Sequence, residues 1–193
     1  MDKNLTELAQ KHNCDKSGHG YMPHYQRHLP RTAERILEIG CEHGESLRMW
    51  KELYPKAEIH TIDLFQNPLF AQEREMAGQG FITHQGDQFY KKTYANLTGK
   101  FDFIIEDGSH RADHQLFTFN MLFDFVKSEG LYIVEDLQCC QEEFFRGSIE
   151  SFDDTILSSI ERKGSWFYAL YGQMIEKVDI YDRKIAFIKK RIC

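Results

Sequence analysis

Phe103-Ile104-Ile105-Glu106-Asp107-Gly108-Ser109-His110 is answered downstream by Leu131-Tyr132-Ile133-Val134-Glu135-Asp136. Each is a short apolar run that ends abruptly in acid, the pattern of a strand buried on both faces of a parallel sheet with carboxylates at its C-terminal tip. If the two strands are neighbours, Asp107, Glu135 and Asp136 meet at one sheet edge with His110 beside them. Like charges at that spacing need a positive partner, and a hard divalent cation with oxygen ligands is the obvious one.

Upstream of this pair, Arg35-Ile36-Leu37-Glu38-Ile39 predicts a first buried strand and Gly40-Cys41-Glu42-His43-Gly44 a turn. Residues 46–54 carry Leu47, Trp50 and Leu53 at helical spacing, and Pro55 stops the helix. Residues 57–63 read as the second strand, 68–77 as a helix, 81–84 as a short strand, and 88–97 as a weak helix before the strand at 101–105. Leu116, Phe119, Leu122, Phe123 and Val126 mark a buried helical face, closed by Gly130 as a residue just past the helix end. Beyond the strand at 131–134, a helix over 152–162 leads to runs 175–181 and 184–190, at hairpin spacing across Asp182-Arg183. Near the start, Asn4-Leu5-Thr6-Glu7 has the form of a helix N-cap with acid at the right offset, and a second short helix covers 24–29. Strands alternating with helices give an α/β class: a doubly wound, mostly parallel, seven-stranded sheet ending in an antiparallel strand.

The chain has 193 residues, 41% of them hydrophobic, which is enough for one well-packed α/β domain and too little for two. The organisation read here is a single domain over 1–193, with 1–34 as a helical lid or appendage and 35–193 as the core. A formal net charge of -6 lacks the basic excess of a general nucleic-acid binder. No apolar leader or membrane-spanning run stands out, so no membrane partner and a cytoplasmic location are expected. The five cysteines include the vicinal pair Cys139-Cys140 but no CxxC spacing, so reduced thiols are the default.

Ligands of doubly wound sheets bind beyond the carboxyl ends of the strands. At the first tip, Gly40 and Gly44 allow backbone to approach a ligand, although a plain strand-to-helix turn explains them equally well. The turn is not GxGxxG, and Glu38 and Glu42 put negative charge where a pyrophosphate would need to sit. S-adenosylmethionine, with a sulfonium, an ammonium and no phosphate, suits it better. Asp63 at the second tip could grip a ribose diol or simply cap a helix. Asp87 at the third could accept from an adenine amine, or belong to a Gly86-Asp87 turn. At the fourth and fifth tips, Asp107, Glu135 and Asp136 can supply oxygen ligands to Mg²⁺. His110 is then placed to take a proton from a hydroxyl acidified by the cation. The bland reading makes these acids helix caps.

The motifs, taken in order, run Asp15-Lys16-Ser17-Gly18-His19-Gly20-Tyr21 with Tyr25 beyond, then Ile36 to Gly40 with Ser46-Leu47-Arg48-Met49-Trp50. Gln85-Gly86-Asp87-Gln88, Phe101 to His110, and Leu131 to Leu137 follow. Together they resemble the metal-dependent sugar O-methyltransferases of macrolide biosynthesis, of the mycinamicin and macrocin type, within the class I S-adenosylmethionine-dependent methyltransferases. The resemblance implies a Rossmann-like methyltransferase fold, Mg²⁺ at Asp107, Glu135 and Asp136, and His110 as general base. It also implies Tyr21, Gly40, Ser46, Asp63, Asp87 and Gln88 around the cofactor, a sugar or glycoside acceptor, and a homo-oligomer. Glu106 departs from the Asp usual in the family, a change expected to touch cofactor contact more than metal binding.

The function expected is therefore S-adenosylmethionine- and Mg²⁺-dependent O-methylation of a hydroxyl on a sugar or glycosylated natural product, with vicinal oxygens chelating the metal. The rivals are a cofactor-binding protein without transferase activity and a metal-dependent hydrolase. His19, His24 and His28 read as solvated, and Phe144, Phe145, Trp166 and Tyr168 as core or as walls of an acceptor site.

Overall fold

The computed structural model describes residues 4–137 and 166–192. Seven strands form one sheet: β1 Arg35–Ile39, β2 Glu58–Asp63, β3 Ile82–Gln85, β4 Phe101–Glu106, β5 Val126–Val134, β6 Ile175–Tyr181 and β7 Ile185–Lys190. They lie in the order β3-β2-β1-β4-β5-β7-β6. The first five run parallel, and β7 inserts antiparallel between β5 and β6. The tight turn at Asp182 and Arg183, both at positive φ, makes that reversal possible. The winding reverses between β1 and β4, so a crevice opens over their carboxyl ends. Those tips nearly touch: a Cβ on Gly40 (φ +92°) would fall 2.1 Å from the Asp107 carbonyl oxygen. Only glycine fits there.

Helices cover both faces. On one, α1 (Leu5–Lys11), α2 (Met22–His28) and α3 (Glu45–Leu53) bury Leu5, Leu8, Tyr25, Leu47 and Trp50 against Ile36, Phe103, Ile133 and Phe187. On the other, α5 (Ala112–Leu122) packs Phe119 and Leu122 on Leu37, Ile104 and Tyr132. α4 (Glu73–Gly78) follows β2, and α6 (Trp166–Tyr171) precedes β6. Asn4 caps α1 by accepting from Thr6 N at 3.0 Å. The segment expected as a lid thus contributes to the principal core.

Several local expectations change. The helix expected over 68–77 is only α4, and that over 88–97 shrinks to a 3₁₀ turn at Lys91–Tyr94. Gly130 does not end a helix: α5 stops at Leu122, a 3₁₀ turn follows at Phe123–Phe125, and Gly130 lies inside β5. The β4–β5 register shifts between Phe101 and Phe103, and Glu129 takes φ 62°. A Cβ on Gly130 would lie 2.8 Å from the Asp102 carbonyl, so glycine marks a bulge where two backbones approach. His24 stacks on Tyr181 with centroids 3.9 Å apart, and His28 hydrogen-bonds that hydroxyl at 2.7 Å, so neither is merely solvated. The Cys139-Cys140 pair, Phe144, Phe145 and the helix expected over 152–162 lie outside the described residues, as do the side chains of Trp166 and Tyr168.

Candidate active site

A cleft of about 840 Å³ lies over the carboxyl ends of β1, β2 and β4. Its wall is strongly acidic: Glu38, Glu42, Asp63, Asp87, Asp107 and Asp136 all border it, and Lys16 is the one Lys or Arg among the described lining residues. Such a wall repels phosphate and suits a cationic ligand.

At one end of the cleft the acids converge. Asp107, His110 and Asp136 present ligand atoms that all lie within 4.8 Å of one another. His110 Nδ1 is 4.0 Å from Asp107 Oδ1, and its Nε2 is 3.9 Å from Asp136 Oδ2. His110 and Asp136 both hold left-handed backbone, at φ 58° and 53°. Residues without Gly's freedom rarely take that region, and such strain gathers at functional sites. Tyr21 Oη donates to Asp136 Oδ1 at 2.6 Å.

Glu135 is not one of that group of three. It is 1% exposed and accepts from the Tyr25 hydroxyl, while its Oε1 lies 3.0 Å from Lys16 Nζ. The same ammonium contacts Asp107 Oδ2 and lies 3.2 Å from Glu38 Oε1. Glu38 in turn accepts from Trp50 Nε1 at 2.8 Å. Burial opposes the charge on Lys16, but Asp107, Glu135 and Glu38 outweigh it and hold the ammonium well above the lysine range. Burial, with the neighbouring Asp107, pushes Glu135 well above the carboxylate range. For two of the acids whose positive partner sequence reasoning sought in a divalent ion, Asp107 and Glu135, a lysine of the chain itself is thus in contact.

The residues expected around a nucleoside cofactor divide into two groups. Gly40, Ser46, Asp63, Asp87 and Gln88 border the cleft, whereas Tyr21 is not among its described lining residues and sits on Asp136. Asp63 accepts from Cys41 N and Phe65 N, each at 2.8 Å, so both its oxygens are fixed in direction. Asp87 Oδ1 accepts from Phe89 N at 2.8 Å. Gln88 is buried: Nε2 donates to Glu106 Oε1 at 2.8 Å, and Oε1 accepts from Ser109 N at 2.7 Å. Burial pushes Glu106 up to about 8, and its Oε2 has no hydrogen-bond partner among the described residues. Glu106 therefore reaches the cleft through Gln88.

Sequence reasoning left Lys16 and Tyr25 without roles, and read Glu38 only as charge unfriendly to phosphate. A lysine in a polar loop carries no signal of burial, and the only cue was its place in the Asp15–Tyr21 motif.

A family model described as a methyltransferase domain matches residues 37–137. The chain belongs to that methyltransferase family. It is 36% identical over 145 residues to the 8-demethyl-8-(2-methoxy-alpha-L-rhamnosyl)-tetracenomycin-C 3'-O-methyltransferase of Streptomyces olivaceus, covering 69% of this chain and 36% of that protein. Against the mycinamicin VI 2''-O-methyltransferase of Micromonospora griseorubida it is 35% identical, again over 69% of this chain and 36% of that protein. Among solved structures, the MycE methyltransferase of the mycinamycin pathway, in complex with Mg, SAH and mycinamycin VI, superposes with TM-score 0.77 at 28% identity. That match covers 98% of this chain and 54% of that one. The chain thus spans little more than a third of the length of these two curated relatives. No helix among the described residues is long and apolar enough to cross a membrane.

Proposed function

We propose that this chain transfers a methyl group from S-adenosylmethionine to a hydroxyl of a sugar or glycosylated small molecule, with the help of a divalent cation. The observation that carries the reading is the convergence of Asp107, His110 and Asp136 at the end of an acidic cleft over the β1 and β4 tips. The fit of a divalent ion rests on the Asp107 and Asp136 carboxylates, whose oxygens lie within 4.8 Å of each other, with the His110 imidazole beside them. Asp107, Glu135 and Asp136 would hold it, Glu135 lying beside Asp107 on the shared Lys16 ammonium. Mg²⁺ when bound would orient neighbouring acceptor oxygens and ease deprotonation of one of them. The mycinamycin-pathway structure with Mg and SAH and the two sugar O-methyltransferases support the same reading.

The chain's own residues have separable tasks. Asp63, its oxygens held by two backbone amides, accepts from the ribose diol. Glu38, Glu42 and Asp87 keep the cleft negative, which favours the cationic cofactor over nucleotides. His110 Nε2 takes the hydroxyl proton, and Asp107 and Asp136 on either side steady the imidazolium that results. The oxygen then attacks the methyl carbon and the sulfonium leaves as the neutral thioether.

His110→Asn is the decisive variant, because Asn tolerates the left-handed backbone that Ala would strain. It should lower turnover about 10²-fold or more while S-adenosylhomocysteine still raises the melting temperature as in wild type. Release of S-adenosylhomocysteine with a panel of glycosides bearing vicinal hydroxyls is the assay, with and without EDTA. Wild-type turnover in the variant would remove the assigned base. Cofactor binding without turnover on every acceptor would favour a sensor.

A further inference from the structure

We infer that Lys16 is a positioning residue of the cation site: a built-in ammonium that braces Asp107 and Glu135. The inference rests on the metal-assisted reading above and adds to it a residue of the N-terminal segment. Lys16 is 1% exposed, yet its Nζ contacts Asp107 Oδ2 and lies 3.0 Å from Glu135 Oε1 and 3.2 Å from Glu38 Oε1. An ammonium has three donors, and here three acids from the tips of β1, β4 and β5 surround it. The contact uses Asp107 Oδ2 and leaves Oδ1 on the side of His110. Glu135 is braced twice, since Tyr25 Oη donates to the same Oε1. Groups that hydrogen-bond the far oxygens of ligating carboxylates set ligand orientation, and their loss typically weakens metal binding about 10–100-fold. A buried lysine among acids can also act as a competitor for the metal, and that role makes the opposite prediction.

Mn²⁺ titration of the full chain, followed by electron paramagnetic resonance of the free ion, separates these roles without recourse to turnover. Lys16→Met should raise the Mn²⁺ dissociation constant about tenfold or more. Lys16→Arg, which keeps the charge but not the compact three-way contact, should recover part of the loss. Tyr25→Phe removes only the second brace on Glu135 and should weaken Mn²⁺ by a smaller factor. It also serves if Lys16→Met does not fold, because Lys16→Arg and Tyr25→Phe then still have to show weakened binding. A dissociation constant within twofold of wild type in the folded Lys16 variants, or tighter binding in Lys16→Met, overturns the inference. Wild-type chain that binds no Mn²⁺ overturns the metal-assisted reading itself; wild-type binding with indifferent variants overturns only the role of Lys16.

Discussion

Asp102 near the start of β4 and Asp107 just past its end lie at opposite edges of the same sheet, five residues apart, and their surroundings differ in kind. At the amino end Asp102 is matched by donors: its Oδ2 accepts from Glu34 N and Arg35 N, each at 2.8 Å, and its Oδ1 from Lys127 Nζ at 2.9 Å. Burial alone would raise its pKa, but the Arg35 amide, Lys127 and the Glu34 amide outweigh it and lower the value. Nearby, Arg35 pairs with Glu58 at 2.9 Å. At the carboxyl end, Asp107, Glu38 and Glu135 share one lysine, and Asp136 has a phenol for its partner. Balanced charge at one edge joins strands, whereas acid in excess at the other makes a place for something positive.

The comparison breaks most visibly at Asp107. Asp107→Asn should lower both Mn²⁺ affinity and turnover by about 10²-fold or more, measured by titration and by S-adenosylhomocysteine release. Unchanged values would mean that the acid excess serves only the fold. Asp102→Ala tests the opposite edge. It strands two amides, leaves Lys127 with Glu34 as its remaining partner and should cost about 1–3 kcal/mol in urea unfolding, while turnover per folded molecule stays as in wild type. A large loss of turnover there would erase the distinction between the edges.

The smallest expected effect is a pH dependence at the sheet's outer strands. Arg35 Nη2 lies 3.2 Å from His60 Nε2, and His60 Nδ1 lies 3.1 Å from His84 Nε2. Burial, then Arg35 and His84, push His60 down to about 4. In the unfolded chain it titrates near 6.5. The unfolded state therefore binds more protons in that window, and stability falls as pH drops from about 6.5 towards 4. Between pH 7 and 5.5 the loss from His60 is about 1 kcal/mol. His60→Gln should flatten that slope in denaturant melts. A slope unchanged in the variant would place the titration elsewhere.

Much of this was legible in residue order. Apolar runs ending in acid located β4 and β5, because burial on both faces leaves a mark on residue type. Gly40, read as room for a ligand or as a plain turn, in fact admits the Asp107 carbonyl of the neighbouring strand tip. The segments 68–77 and 88–97 misled because a few apolar residues at helical spacing do not show how few turns the connection needs. Gly130 misled because a glycine after a helical pattern serves a cap or a bulge equally well. The site was half legible. Asp107, His110 and Asp136 converge as their placement at neighbouring tips implied, but the sequence did not say that Glu135 would be buried against Lys16 and Tyr25.

The order of residues by itself determined the strand-and-helix alternation, the parallel sheet and the acids at its tips, since these depend on local periodicity and on hydrophobic runs. Only the tertiary structure decided which charge answers those acids. Lys16 lies 91 residues from Asp107 along the chain, and no local pattern records a meeting that exists only once the N-terminal segment has docked on the sheet. Burial then gives that one ammonium far more influence than it has in water, because few other groups are left to screen it.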